Sequence, residues 1–192
     1  GAADREAMLK GSRLHRKIQK QMKGGYQAEV PLKLDTEFED LTVRVEGRAD
    51  GILPEGDTAC IDEIKGIYKD VNSLEEPAAV HRAQAMCYAW IYASQNGLSE
   101  IGVQMTYANL DTEEIRRFRE TFSVDELGEW YRNLLNEYHR WVSWRRQWIR
   151  RRNASMEGLE FPFPYRKGQR EMVSGVYHAI SSRKQIFVQA PT

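Results

Sequence analysis

The sequence predicts an α/β domain in which a central mixed sheet is flanked by helices and followed by one long C-terminal helix. Three observations carry that expectation. Apolar residues recur at helical spacing over residues 4–23; residues 27–66 divide into three strand-like segments separated by turns; and helical spacing returns after residue 75 and again after residue 123.

Each element has its own signal. Met8, Leu14, Ile18 and Met22 make the stripe of a first helix, which Gly24-Gly25 stops, with His15 on or beside the buried face. Ala28, Val30, Leu32 and Leu34 alternate with polar residues. The alternation returns at Leu41, Val43 and Val45, so the two segments form a hairpin through the polar stretch 35–40. A third strand, Thr58 to Gly66, follows the turn Pro54-Glu55-Gly56-Asp57. Residues 75–95 read as a helix with Pro77 in its first turn and Asn96-Gly97 at its end. Ile101, Val103, Met105 and Tyr107 make another strand, and residues 113–122 supply one more. Ser123 and Glu126 form a capping box, after which Leu127, Trp130, Leu134, Tyr138, Trp141 and Trp148 carry a helix to about Arg152. Asn153 to Gly158 reads as a linker.

Composition narrows the function classes. Lys+Arg 28 balances Asp+Glu 28, which excludes a globally basic nucleic-acid coat and leaves local basic patches to do any such work. Cys60 and Cys87 are too few for a disulfide framework or a four-cysteine metal site and are expected to be reduced, buried thiols. No apolar run reaches membrane-span length and the start lacks a signal-peptide core, so a cytoplasmic protein is expected.

The chemistry concentrates around two strands. Strict alternation places Asp50 with Arg44, Glu46 and Arg48, opposite Leu41, Val43 and Val45, on the open side of the sheet. In the next strand Glu63 and Lys65 share one face, Asp62 and Ile64 the other. Carboxylates can hold a hard divalent cation that polarises a phosphodiester, and an ammonium beside them can orient the attacking water. Taken alone, Glu63 and Lys65 would equally be a solvated charged edge. His15 would equally be a core histidine, Gln84 and Tyr88 ordinary polar and packing positions, and His81 a surface residue.

Taken together, Gly47-Arg48-Ala49-Asp50, Glu63-Ile64-Lys65, and Gln84 with Tyr88 one helical turn later resemble the RecB-like branch of the PD-(D/E)XK nucleases. The resemblance implies a restriction-endonuclease-like core of helix, three strands, helix and strand. It implies His15, Asp50, Glu63 and the carbonyl of Ile64 as ligands of Mg2+ or Mn2+, Lys65 as the residue assisting water, and Gln84 and Tyr88 beside the site. Two departures stand out: the motif position before the Glu63 strand holds no proline, and cluster-bearing members carry four cysteines where this chain has only Cys60 and Cys87, so no iron–sulfur cluster is expected.

Beyond the core, Arg145, Arg146 and Arg150 stand among Trp141, Trp144 and Trp148. The arginines read as phosphate contacts along a DNA strand or as a plain solvated face. The stripe marks at least Trp141 and Trp148 as core. Residues 161–192 look like the opening of a helicase of the DinG/XPD kind. Gln169 approaches adenine there, and a strand at Ile186 to Gln189 leads toward a phosphate-binding loop expected beyond Thr192. ATP would then be used only by the full-length parent.

The sequence reading is therefore a nuclease domain at 1–158 and the start of a helicase domain at 159–192, a DNA exonuclease coupled to unwinding in repair or processing. The alternatives are a non-cleaving DNA-binding module that guides the motor and a partner-docking accessory.

Overall fold

Turn chemistry and alternation build the sheet first. The computed structural model describes residues 2–22, 24–160 and 162–189, with side chains from Met8 onward. Strands β1 (Gln27–Glu37) and β2 (Thr42–Glu55) form the expected hairpin, longer than the alternation alone marks. Pro54 and Glu55 pair with Ala59 and Thr58 and so belong to β2. The next turn is Gly56-Asp57, with Gly56 at φ 65°, a conformation glycine adopts without strain. Strand β3 (Thr58–Ile67) pairs antiparallel with β2 and parallel with β4 (Glu100–Asn109), and β5 (Ile115–Ser123) completes the order β1-β2-β3-β4-β5.

The parallel β3–β4 step needs a crossover, and α2 (Ala79–Asn96) provides it. This helix begins four residues later than its spacing suggests, so Pro77 precedes it; Gly97 ends it in the left-handed conformation, as expected. Helix α1 (Ala2–Gln21) comes first, and α3 (Val124–Met156) follows β5. The domain is thus α/β, a mixed five-stranded sheet flanked by helices with a long helix after it. Its first six elements follow the expected order of helix, three strands, helix and strand.

Each sheet face buries a different helix. On the α2 side, Ile61, Ile101, Val103 and Met105 pack with Ala85, Ala89 and Ile91 and with Leu127 of α3. Each fully buried aliphatic side chain contributes about 1.5–3 kcal/mol. On the opposite side α1 docks through Leu14 and Ile18 onto Ile64 and Ala108. Met8 is 75% exposed, contrary to the stripe, because α1 meets the sheet only from about its middle onward. A Cβ on Gly66 would lie 2.7 Å from Leu110 Cδ2 and 3.8 Å from the Gly11 Cα, so two glycines let this helix come close.

The capping box at the start of α3 is formed: Ser123 Oγ accepts from the Glu126 amide, and Glu126 accepts from the Ser123 amide at 2.9 Å. The expected apolar stripe is corrected. Leu127, Tyr131 and Leu135 are buried, whereas Leu134, Tyr138, Trp141 and Trp148 of the expected stripe are exposed, as is Trp144. The helix continues through the expected linker to Met156.

The chain divides into two compact units, residues 1–142 and 143–192. Within the second, α4 (Gln169–Ser181) is the expected helix, but residues 182–189 form no strand. A strand needs a neighbour for its amides and carbonyls, and among the described residues none pairs with this segment. Ala190 to Thr192, where the phosphate loop was expected to follow, lie outside the described residues. Among the described residues no helix is long and apolar enough to cross a membrane.

Candidate active site

The β2–β3 ladder ends at the pair Gly51–Asp62. Beyond it β2 continues with β1 and β3 with β4, so the strands fork, and Asp50 and Glu63 are the first residues past the last pair. A backbone amide released at such a fork needs an acceptor. Asp50 supplies it: its Oδ2 accepts from the Ile64 amide at 2.7 Å.

Strict alternation breaks at Asp50. Ala49 and Ile52 both lie in the α2-side core, while Asp50 and Gly51 turn toward α1. Opposite them Glu29 has φ 56° and drops out of the β1–β2 register. Helix α1 holds the irregularity with two residues one turn apart. His15 Nδ1 stands 3.5 Å from Asp50 Oδ1, and Gln19 Nε2 donates to the Asp50 carbonyl and to Glu29, each at 2.9 Å. A Cβ on Gly51 would fall 1.7 Å from the Tyr26 hydroxyl oxygen, so only glycine fits there. Tyr26 in turn donates to Asp62, whose other oxygen accepts from Thr106 and Gln104 at 2.6 and 3.0 Å. That network satisfies a fully buried carboxylate directly beneath the fork.

On the α2 side, Lys65 Nζ donates to Glu63 Oε1 at 2.7 Å and to Gln84 Oε1 at 3.0 Å. Gln84 donates to Tyr88, whose ring packs where a Gly47 Cβ would sit. Gly47-Arg48-Ala49-Asp50 thus leads the strand beneath Tyr88 and into the fork. The open sheet face expected for these residues is covered. Asp50 and Lys65 keep 16% and 23% of their side chains exposed, and Glu63 is 2% exposed as a residue, because α1 and α2 close over the two sides.

Glu63 is the electrostatic centre. Its Oε2 is buried without a hydrogen-bond partner among the described residues. Burial first, then the Asp50 charge, push its carboxyl up to about 7, against the opposing pull of Lys65 and His15. Among the described residues no group of three or more His, Cys, Asp and Glu side chains is placed to hold a metal ion. The His15–Asp50 pair and the free Glu63 oxygen are the donors available to one. Ile64 contributes its amide to Asp50 and buries its side chain against α1.

Three residues had no sequence signal strong enough to single them out. Asp62, Tyr107 and His81 all bind beside the proposed machinery. His81 Nδ1 lies 3.0 Å from the Tyr107 hydroxyl, and burial, followed by the Lys65 charge, lowers the imidazole below its usual value. Its spacing of three and seven residues from Gln84 and Tyr88 was the available clue. Cys60 and Cys87 are free thiols, buried and half-buried, and burial pushes them up to about 12 and about 11. In the second unit, Arg145 and Arg150 are exposed and Arg146 is half-buried on α3, where the Trp144 and Trp148 rings stack with centroids 6.4 Å apart.

No protein-family model matches the chain, and no curated protein matches it. Among solved structures, that of the protein named SSO0001 is similar at 20% identity, with a TM-score of 0.46, over 62% of this chain and 56% of its own. This chain therefore spans just over half the length of SSO0001.

Proposed function

We propose that this chain carries a divalent-metal-dependent deoxyribonuclease site of the RecB-like PD-(D/E)XK kind. In this reading a nuclease domain over residues 1–158 precedes the opening of a helicase domain at 159–192. The observation that carries the reading is the convergence of Asp50, Glu63 and Lys65 at the strand fork, with a buried Glu63 oxygen that has no partner. An unpaired buried carboxylate oxygen beside a second carboxylate is costly unless it takes a proton or a cation joins the two. The donor set of His15, Asp50, Glu63 and the Ile64 carbonyl suits Mg2+ or Mn2+.

When bound, that cation supplies Lewis acidity to the phosphodiester and neutralises charge developing on it. Asp50, fixed by the Ile64 amide and by α1, holds its carboxylate at the mouth of the fork. Lys65 uses two of its three donors on Glu63 and Gln84, leaving the third for the attacking water or a phosphate oxygen. Water attacks phosphorus and gives up a proton to solvent, the bond to the leaving sugar oxygen breaks, and that oxygen takes up a proton from solvent. Arg145, Arg146 and Arg150 would guide the strand, and the two free thiols suit a cytoplasmic setting.

The test incubates the full chain with end-labelled linear and circular single-stranded DNA in Mg2+, Mn2+ or chelator. Metal-dependent cleavage is expected, with circles spared if the enzyme is an exonuclease. Asp50→Ala, Glu63→Gln and Lys65→Ala should each lower the rate by at least about 100-fold with the fold retained. Near-normal cleavage by any two of them would overturn the assignment. One observation favours the non-cleaving binding module, namely that among the described residues no group of three or more His, Cys, Asp and Glu side chains is placed to hold a metal ion. DNA binding without cleavage at any metal concentration would select that reading.

A further inference from the structure

Lys65 and Tyr107 are register partners on the adjacent parallel strands β3 and β4, and each is held by a residue of α2. Gln84 holds Lys65 at 3.0 Å, and His81, one turn earlier on the helix, holds Tyr107 at 3.0 Å. These two strand-to-helix bonds sit side by side, so His81 neighbours the Glu63–Lys65 pair. The Tyr107 oxygen already accepts the Ala78 amide at 2.9 Å. Its own proton is available to His81 Nδ1, and in the tautomer that accepts it the imidazole proton stands on Nε2. Among the described residues no acceptor meets Nε2, and the ring is only half-buried.

We propose that His81 binds a non-bridging phosphate oxygen of the DNA strand through its Nε2–H, next to the phosphate held at Lys65. This rests on the nuclease reading above. A phosphate oxygen is acceptor-only and therefore matches a fixed N–H donor. A neutral imidazole can stand beside the Lys65 ammonium without the repulsion a second cation would bring. Tyr107 acts as the positioning residue that fixes the ring and its tautomer. Contact with a phosphate in both the bound substrate and the transition state is uniform binding, so it lowers KM and leaves kcat nearly alone.

Two variants separate this role from a structural one. His81→Ala loses both ring nitrogens, whereas His81→Asn retains a short acceptor for the Tyr107 hydroxyl and loses the distal donor. With the full chain, KM and kcat would be measured on an oligodeoxythymidylate in Mg2+. Affinity for the fluorescein-labelled oligomer would be followed by anisotropy in Ca2+, and Tm alongside. Both variants should raise KM and Kd about tenfold, with kcat within about twofold. His81→Asn should keep the wild-type Tm. Unchanged KM and Kd in His81→Asn, whatever happens to Tm, would overturn the proposal and return His81 to a purely structural bond with Tyr107. If the wild-type chain binds the oligomer but never cleaves it, the nuclease reading fails. The Kd comparison still decides the His81 contact.

Discussion

At the scale of single residues, Glu63 makes the sharpest prediction because its surroundings oppose its charge. Its carboxyl is raised from 4.5 to about 7, so between those values the folded chain keeps a proton that the unfolded chain releases. Stability from this group is complete below about 4.5 and lost as pH rises through about 7, at most about 3 kcal/mol. Metal-free wild type should therefore melt at lower temperature at pH 8 than at pH 5, and Glu63→Gln should remove most of that fall. Carboxylates with lowered values, such as Glu120 held by Arg82, lose stability only on the acid side of this window and do not confuse the comparison. A cation selects the ionised form, so the rise in Tm on adding Mg2+ should grow with pH through the same window. Equal melting at pH 5 and pH 8 in both proteins would show that the group is not buried as described. The identities of Asp50, Glu63 and Lys65 were legible in the sequence. Their burial was not, since alternation predicts a face but not what covers it.

At the scale of elements, α1 determines whether His15 can serve. The helix is anchored by Leu14 and Ile18 on Ile64 and Ala108, and His15 lies between the two anchors in sequence. Ile18→Ala should cost about 2–5 kcal/mol and raise the metal concentration needed for half-maximal cleavage, because it loosens the platform that faces Asp50. His15→Ala should raise that requirement with little change in Tm, as a half-exposed side chain removed from a ligand set. Parallel thermal melts and metal titrations check both; a His15→Ala titration matching wild type would assign the residue to packing. Ser123→Ala should cost about 1 kcal/mol by removing the cap of α3. That cap was readable because it is local. The buried face of α3 was not: helical spacing fits Leu134 or Leu135 nearly equally, and contact with Val43 of the hairpin selects Tyr131 and Leu135.

At the scale of the whole molecule, every proposed ligand and catalytic side chain lies in the first compact unit. Removing residues 159–192 should leave metal-dependent cleavage and the main thermal transition of the remaining chain intact. Activity and a calorimetric scan of the shortened protein measure this, and collapse of the fold would show that the tail belongs to the nuclease. The tail itself exposes Ile186, Phe187 and Val188 in a segment without strand partners. The proposal above reads this segment as the first strand of a motor domain. The full chain should fail to hydrolyse ATP, and an extended chain should hydrolyse it in the presence of DNA.

The order of helices and strands was determined by the sequence itself, because periodicity, Gly97 and the Ser123–Glu126 cap act within a few residues of where they stand. So were the identities of Asp50, Glu63, Lys65 and His15, the groups proposed above for phosphodiester chemistry, since a residue type needs no partner to be recognised. Tertiary structure alone decided three things. It broke the alternation at Asp50, where Glu29 out of the strand register, Gln19 of α1 and the Tyr26–Gly51 contact outweigh the regular pleat. It enclosed Glu63 between two helices and so raised its carboxyl. And it joined His81 to Tyr107, 26 residues apart, through a parallel strand pair that forms only after α2 has crossed the sheet. The physical reason is common to all three: desolvation and non-local hydrogen bonds depend on what comes to lie against a residue, and that is settled by packing between distant segments.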